Sequence, residues 1–194
     1  MLMIRDFLLS ARYDGNRGRR NRMKILILNG SPHAKGATAD MTTAFAKGAR
    51  EAGHEVNELR CAFLNVKGCL ACEYCHEKEQ GVCVQNDDMR KVYPEILSAD
   101  MIVFASPVYY FTLSAQLQTV IHRTYAIGIP HNVKKTALIL SSGDPMVYGP
   151  AITQYWQAIV EYWGCENAGI FTACEKTNYT EEKRQELYRF GKSL

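Results

Sequence analysis

The chain lacks the features that mark membrane, linker-built and strongly charged proteins. Its 194 residues contain no apolar run of eighteen or more, so no stretch is long enough to cross a bilayer as a helix. There is no proline- or glycine-rich linker, no internal repeat and no low-complexity tract. An excess of one charge is also missing. The formal net charge is +3, but residues 1–22 hold six arginines against two aspartates, which leaves the body from Met23 onward at −1. A body this close to neutral offers no electrostatic footprint for nucleic acid. With 47% apolar and 22% charged residues, the composition is that of one soluble globular domain with a full core.

The leader MLMIRDFLLSARYDGNRGRRNR lacks the roughly 7–15-residue apolar core of a secretory signal. Its two aspartates and single serine also fit a transit peptide poorly. Residues 1–22 are expected to be a flexible basic extension, or an addition ahead of a start at Met23; a basic arm against a partner subunit is the alternative. Seven cysteines without a secretory signal point to a reducing, cytoplasmic setting. There, clustered thiols are metal ligands or catalytic groups more often than disulfides.

Apolar runs alternate with helical patterns from Met23 on. MKILILN (Met23–Asn29), DMIVFA (Asp100–Ala105) and KTALIL (Lys135–Leu140) read as buried strands. His54–Arg60 and Asn167–Thr172 are weaker strand candidates. Helices are expected from Thr38 to about Ala52, over Lys91–Ser98, from about Ser114 to Tyr125, from Pro150 to Gly164 and over Thr180–Phe190. Pro150 suits the first position of its helix, and Ile152, Tyr155, Trp156, Ile159 and Trp163 are expected on that helix's buried face. Continuous apolar strands between helices indicate a parallel sheet covered on both faces. Ligands of such sheets bind beyond the carboxyl ends of the strands.

Three loops lie there. GSPHAKGAT (Gly30–Thr38) joins a strand to a helix, where backbone N–H groups with Ser31, Thr38, His33 or Lys35 could receive a phosphate. It is neither GxGxxG nor GxxxxGK[ST], so a dinucleotide or triphosphate site is not supported. SPVYYF (Ser106–Phe111) could offer backbone and aromatic rings to a flat ligand, or pack its rings on the next helix. SSGDP (Ser141–Pro145) contains Gly143, which permits close backbone approach.

These motifs, MKILILNGSP with GAT, DMIVFASPVYYF, and GCLACEYCHEKEQGVCVQNDDM between them, resemble the NADPH-dependent FMN reductase family, within it the branch of the iron–sulfur flavoproteins. The resemblance covers about Met23 to Phe171. It implies an α/β, flavodoxin-like three-layer sandwich whose five-stranded parallel sheet has the order 2-1-3-4-5. It also implies bound FMN, NAD(P)H as co-substrate, and a homodimer or homotetramer. By position, Ser31, His33, Ala37 and Thr38 would hold the FMN phosphate. Pro107, Val108, Tyr109, Tyr110 and Phe111 would run beside the flavin ring, and Ser142, Gly143 and Asp144 would approach its other side. Many relatives have arginine where this chain has His33, which implies a weaker or pH-dependent hold on the phosphate.

The spacing of Cys69, Cys72, Cys75 and Cys83 is C-x2-C-x2-C-x7-C. It suits a [4Fe–4S] cluster, zinc, or a metal-free structural loop. His76 is expected to be solvated rather than a ligand, and Cys61, Cys165 and Cys174 to be small buried side chains. The expected activity is FMN-dependent NAD(P)H oxidation with a quinone, nitro- or azo-aromatic or flavin as acceptor. Tyr109 and Tyr110 are candidates for contacting that substrate, and no side chain is expected to act as an obligatory acid or base. The competing readings are an electron carrier fed by ferredoxin through a [4Fe–4S] cluster, and a zinc-stapled interaction module without flavin.

Overall fold

Each strongly apolar run becomes a strand, and each amphipathic stretch becomes a helix laid over it. In the computed structural model, which describes residues 22–78 and 81–194, the strands are β1 (Lys24–Asn29), β2 (Glu55–Arg60), β3 (Met101–Tyr109), β4 (Thr112–Leu113), β5 (Lys135–Ser142) and β6 (Glu166–Cys174). The helices are α1 (Ala37–Glu51), α2 (Tyr74–Glu77), α3 (Met89–Ser98), α4 (Ala115–Arg123), α5 (Tyr148–Tyr155) and α6 (Glu181–Ser193). The expectation for residues 1–22 lies outside the described residues, except for Arg22, which pairs with Glu55 at 3.2 Å.

β2, β1, β3, β5 and β6 run parallel in that order, and β4 folds back antiparallel on β3. Without that short arm, the order is the expected 2-1-3-4-5. Side chains alternate between the two faces. Leu26, Leu28, Ile102, Phe104, Leu138 and Leu140 meet α3, α4 and α5 on one face. Ile25, Ile27, Val103, Ala105, Ala137 and Ile139 meet α1 and α6 on the other. α1 and α6 cross at backbone contact: a Cβ on Gly48 would lie 2.0 Å from Tyr188 O, and one on Gly191 2.2 Å from Phe45 O. Among the described residues, no helix is long and apolar enough to cross a membrane.

Three expectations are corrected. β3 does not stop at Ala105 but continues through Tyr109 along β5, with Pro107 opposite Ser141. β1 has ended by then, at the Asn29–Ala105 pair, so Pro107 occupies a local edge where a residue without N–H is tolerated. Pro150 is the third residue of α5, still in the first turn, where its missing N–H removes no helical bond. Beyond Tyr155 the helix widens to π geometry over Trp156–Glu161, which rotates its face. Tyr155 and Ile159 are buried, but Trp156 turns outward and donates Nε1–H to Glu161 at 3.0 Å.

Candidate functional site

β1 ends on Asn29, which is fully buried. Its Nδ2 donates to Glu58 at 2.7 Å, and its Oδ1 accepts Ser31 N–H at 2.9 Å. Gly30 N–H bonds Ala105 O at 2.8 Å, so the loop leaves along the end of β3. The buried Ser31 accepts His33 N–H at 3.2 Å, while the His33 side chain is exposed. α1 then begins at the buried pair Ala37 and Thr38. A helix leaves its first N–H groups without intrahelical partners. Gly36 has no side chain to cap them. The loop therefore presents aligned donors at the positive end of a fifteen-residue helix.

Nothing in the sequence marks Arg60, the last residue of β2. Its guanidinium donates from Nη1 to Ala34 O at 3.2 Å and from Nη2 to His33 O, and it lies over the Phe63 ring. It ties down the loop's carbonyls and brings a permanent positive charge to the loop. Only the pairing of β2 with β1 makes this visible.

The end of β3 forms a tight hairpin. Tyr109 pairs with Thr112, and the two residues between them, Tyr110 and Phe111, have φ of 48° and 64°. A two-residue hairpin asks for two positive φ values, usually met by Asn-Gly. Two aromatic residues here are strained, and such strain gathers at ligand sites. Their rings do not pack on the following helix: Tyr110 is 97% exposed, and Tyr109 and Phe111 about half. Val108, by contrast, turns its side chain into the core beside Leu113, leaving only backbone to face a ligand.

Buried serines hold the hairpin and the first loop in register. Ser106 Oγ donates to Pro107 O at 2.7 Å and accepts Ser114 N–H at 2.8 Å. Ser114 caps α4 and donates to Gly30 O at 2.8 Å. A Cβ on Gly30 would lie 2.3 Å from that hydroxyl and 2.7 Å from Leu117 Cβ. Ser114→Ala is expected to remove the cap and orphan a buried carbonyl, costing about 2–3 kcal/mol in a urea titration. A loss below about 0.5 kcal/mol would show that the web carries no weight.

The third loop closes the arrangement. Ser141 shares a 2.7 Å hydrogen bond with Thr38, joining β5 to the start of α1. Ser142 Oγ lies 2.6 Å from Asp144 O and 2.7 Å from Tyr148 Oη, and Asp144 accepts Met146 N–H at 2.9 Å. Gly143 is exposed, and a Cβ there would meet nothing within 4 Å. The structure thus joins Thr38 and Ser141 directly, ties Ser31 to Asn29 and His33 within the first loop, and sets Ser142–Asp144 next in sequence to Ser141.

The sequence pattern of the NADPH-dependent FMN reductases matches this chain over residues 23–165, the span that contains all three loops. The chain belongs to that family. An iron–sulfur flavoprotein of Archaeoglobus fulgidus is 29% identical over 152 residues, covering 76% of this chain and 66% of that one. One from Methanosarcina thermophila is 33% identical over 102 residues, 53% of this chain and 52% of that one. The chain thus spans about half to two thirds of the length of these curated relatives. Among solved structures, an NAD(P)H:quinone oxidoreductase from Methanothermobacter marburgensis superposes with a TM-score of 0.71 at 19% identity, covering 89% of this chain and 96% of that one. An azoreductase from Bacillus anthracis gives 0.65 at 16% identity, covering 89% and 100%. These two likenesses are likenesses of fold.

On this reductase fold the cysteine segment forms an outlying loop, pinned at its neck. Asp88 N–H bonds Asn65 O at 3.1 Å, Asn65 N–H bonds Asp88 Oδ2 at 2.8 Å, and Gln85 Nε2 bonds Gly68 O at 2.9 Å. Ala71 and Glu73 take left-handed φ of 51° and 53°, coiling the chain before α2. Ala71 N–H points at Cys69 Sγ, 3.4 Å away. Cys75 is buried, Cys83 half-buried, and Cys69 and Cys72 exposed. Burial, with Cys83, Glu73 and Cys69 nearby, pushes the Cys75 thiol up. The four sulfur-bearing residues line one void of about 20 Å³ together with Arg123 and Tyr125. That volume admits about one water. Among the described residues no three Cys, His, Asp or Glu side chains converge on a metal position. Four cysteines are by chemistry the donor set of a thiolate-ligated group, but the loop stands drawn in around a small void with its thiols unconverged. His76 lies outside it, with Nε2 3.0 Å from Tyr125 O and its ring edge-on to Tyr125. Cys61, Cys165 and Cys174 are buried, and burial pushes the Cys61 thiol to about 12, which makes it inert.

Proposed function

We propose that the chain binds FMN at the three loops and uses it to move electrons from NAD(P)H to a small aromatic acceptor. The observation that carries this is the meeting, at one sheet edge, of uncapped α1 N–H groups with a strained, exposed aromatic hairpin. Ser31, Ala37, Thr38 and the α1 N-terminus would receive the phosphate, with Arg60 holding the loop in shape. His33 would flank it. The backbone from Pro107 to Tyr109 would meet the polar edge of the ring, and Ser142–Asp144 would close the other side. Bound FMN would supply the centre that accepts hydride and releases electrons. Tyr109, Tyr110 and Phe111 would exclude water from one face and offer flat apolar surface to a quinone, a nitro- or azo-aromatic or a free flavin. The flavin-binding unit would be residues 23–194, with residues 1–22 a basic extension, acting in the cytoplasm as a homodimer or homotetramer.

A second reading is favoured by the single void shared by four thiols. Cys69, Cys72, Cys75 and Cys83 would hold a [4Fe–4S] cluster, and ferredoxin would replace NAD(P)H as donor. An anaerobic visible spectrum with iron and sulfide assays decides between the two. Flavin bands with NAD(P)H-dependent bleaching and no iron support the reductase alone. About four irons per chain, as a [4Fe–4S] site requires, with bleaching by reduced ferredoxin only, support the carrier. A colourless chain after incubation with FMN sinks both.

Arg60→Met is expected to weaken FMN binding about tenfold and riboflavin binding far less, since roughly one charge-assisted tether near the phosphate is lost. Fluorescence titration with the two flavins measures this. Equal losses for both would mean that Arg60 does not act through the phosphate loop.

A further inference from the structure

Arg123 is the bulkiest of the fully buried side chains among the described residues. It sits in the last turn of α4 and pairs with Asp87, whose side chain is 3% exposed against its own 1%. Buried ion pairs are weak devices for stability, and a matched apolar pair often does as well. The geometry shows another use for this one. Nη1 donates to Asp87 Oδ2 at 2.6 Å and to Lys67 O at 2.7 Å, fixing the neck of the cysteine loop. Nη2 reaches Asp87 Oδ1 at 3.2 Å and Cys83 Sγ at 3.3 Å. Nε–H has no partner. Asp87 also accepts N–H groups from Lys67 and Met89, so the carboxylate is as fixed as the guanidinium. A permanent positive charge and its counter-charge are thus locked against one sulfur of the four-cysteine void.

We propose that Arg123 is a positioning residue that sets the reduction potential of an iron–sulfur group held by these cysteines, with Asp87 as its counterweight. The inference rests on the cluster reading above. The couple takes up one electron, with no bond made or broken, so the reduced form carries one more negative charge. Net charge and hydrogen bonds to the ligand sulfurs are what set such potentials. The guanidinium stabilises the reduced form through both, and the Asp87 carboxylate opposes it through charge.

The two residues should therefore shift the potential in opposite directions. In iron-loaded protein, Arg123→Gln is expected to lower the midpoint by at least tenfold in the reduction equilibrium, about 59 mV for one electron. Asp87→Asn is expected to raise it. Arg123→Lys keeps the charge but loses the fork, and should fall between wild type and Arg123→Gln. An anaerobic redox titration followed by visible absorption and electron paramagnetic resonance reads all three, with iron content and visible circular dichroism as folding controls. If Arg123→Gln does not fold, Arg123→Lys and Asp87→Asn decide the question. Loaded variants that stay within about threefold of wild type, or that shift in the same direction, overturn the proposal while leaving the cluster reading intact. Wild-type protein without iron overturns the cluster reading, and this proposal with it.

Discussion

The double substitution Tyr110→Asn with Phe111→Gly is expected to make the chain more stable and less active at once. Both positions have left-handed φ. That conformation costs an ordinary L-residue about 1–2 kcal/mol, and Asn-Gly adopts it readily. Tyr110, 97% exposed, forfeits almost no burial in exchange, and the half-buried Phe111 forfeits about 1 kcal/mol. The net gain should be about 1–2 kcal/mol, or roughly 2–8 °C in a chain of this size. Thermal unfolding of the flavin-free protein reads that gain. In the proposed function the same two rings form the wall over the flavin and meet the acceptor. Quinone turnover with NAD(P)H should therefore drop at least tenfold, about 1.4 kcal/mol of transition-state stabilisation. Unchanged turnover would remove the hairpin from the site. Unchanged stability would mean that its strain is relieved by contacts the free chain already makes.

Arg123→Met has the largest expected effect on folding. It leaves Asp87 charged, buried and without its partner, which costs about 3–5 kcal/mol. Adding Asp87→Leu should recover part of this. Recovery should be incomplete, because the N–H groups of Lys67 and Met89 lose their acceptor. Burial alone would push the Asp87 carboxyl up, but Arg123 and those N–H groups outweigh it and hold it below the usual carboxylate range. A folded pKa below the unfolded value of about 3.9 adds stability that is present above that pH and is lost as pH falls through the folded pKa. Wild type should thus weaken below about pH 4, while Asp87→Asn should show a flatter acid limb. Urea titrations from neutral pH into the acid range compare the two. Parallel acid limbs would show that Asp87 titrates alike in the folded and unfolded chain.

The strands were legible because a strand buried on both faces must be apolar along its whole length. Leu26–Leu28 and Ile102–Phe104 announce themselves without any partner in view. The start of the last helix at Thr180 was legible because a helix start is decided within one turn of chain, and Thr180 does cap α6. The outward turn of Trp156 was not, because periodicity assumes an even helix and the π segment breaks it. Nor was the extension of β3 through Pro107, which depends on where β1 happens to end.

The same division runs through the site. Local chemistry marked Ser31, Thr38, the SPVYYF segment and the four clustered cysteines, since each motif is contiguous in the chain. It was silent on Arg60, Ser114, Asp87 and Arg123. Taken alone, these are an ordinary strand-end arginine, a helix-start serine, an acid beside another acid and a helix-end base. What separates them from their kind is contact across the fold: Arg60 with Ala34, Ser114 with Gly30, and Arg123 with Asp87 and Cys83. The layered α/β architecture and the strand-end loops at which a ligand can bind are written along the chain, because hydrophobic burial and turn chemistry are local in it. Which charges and hydroxyls hold those loops, and that the aromatic turn is strained and open, emerge with the folded chain, because charge pairing and packing act through space.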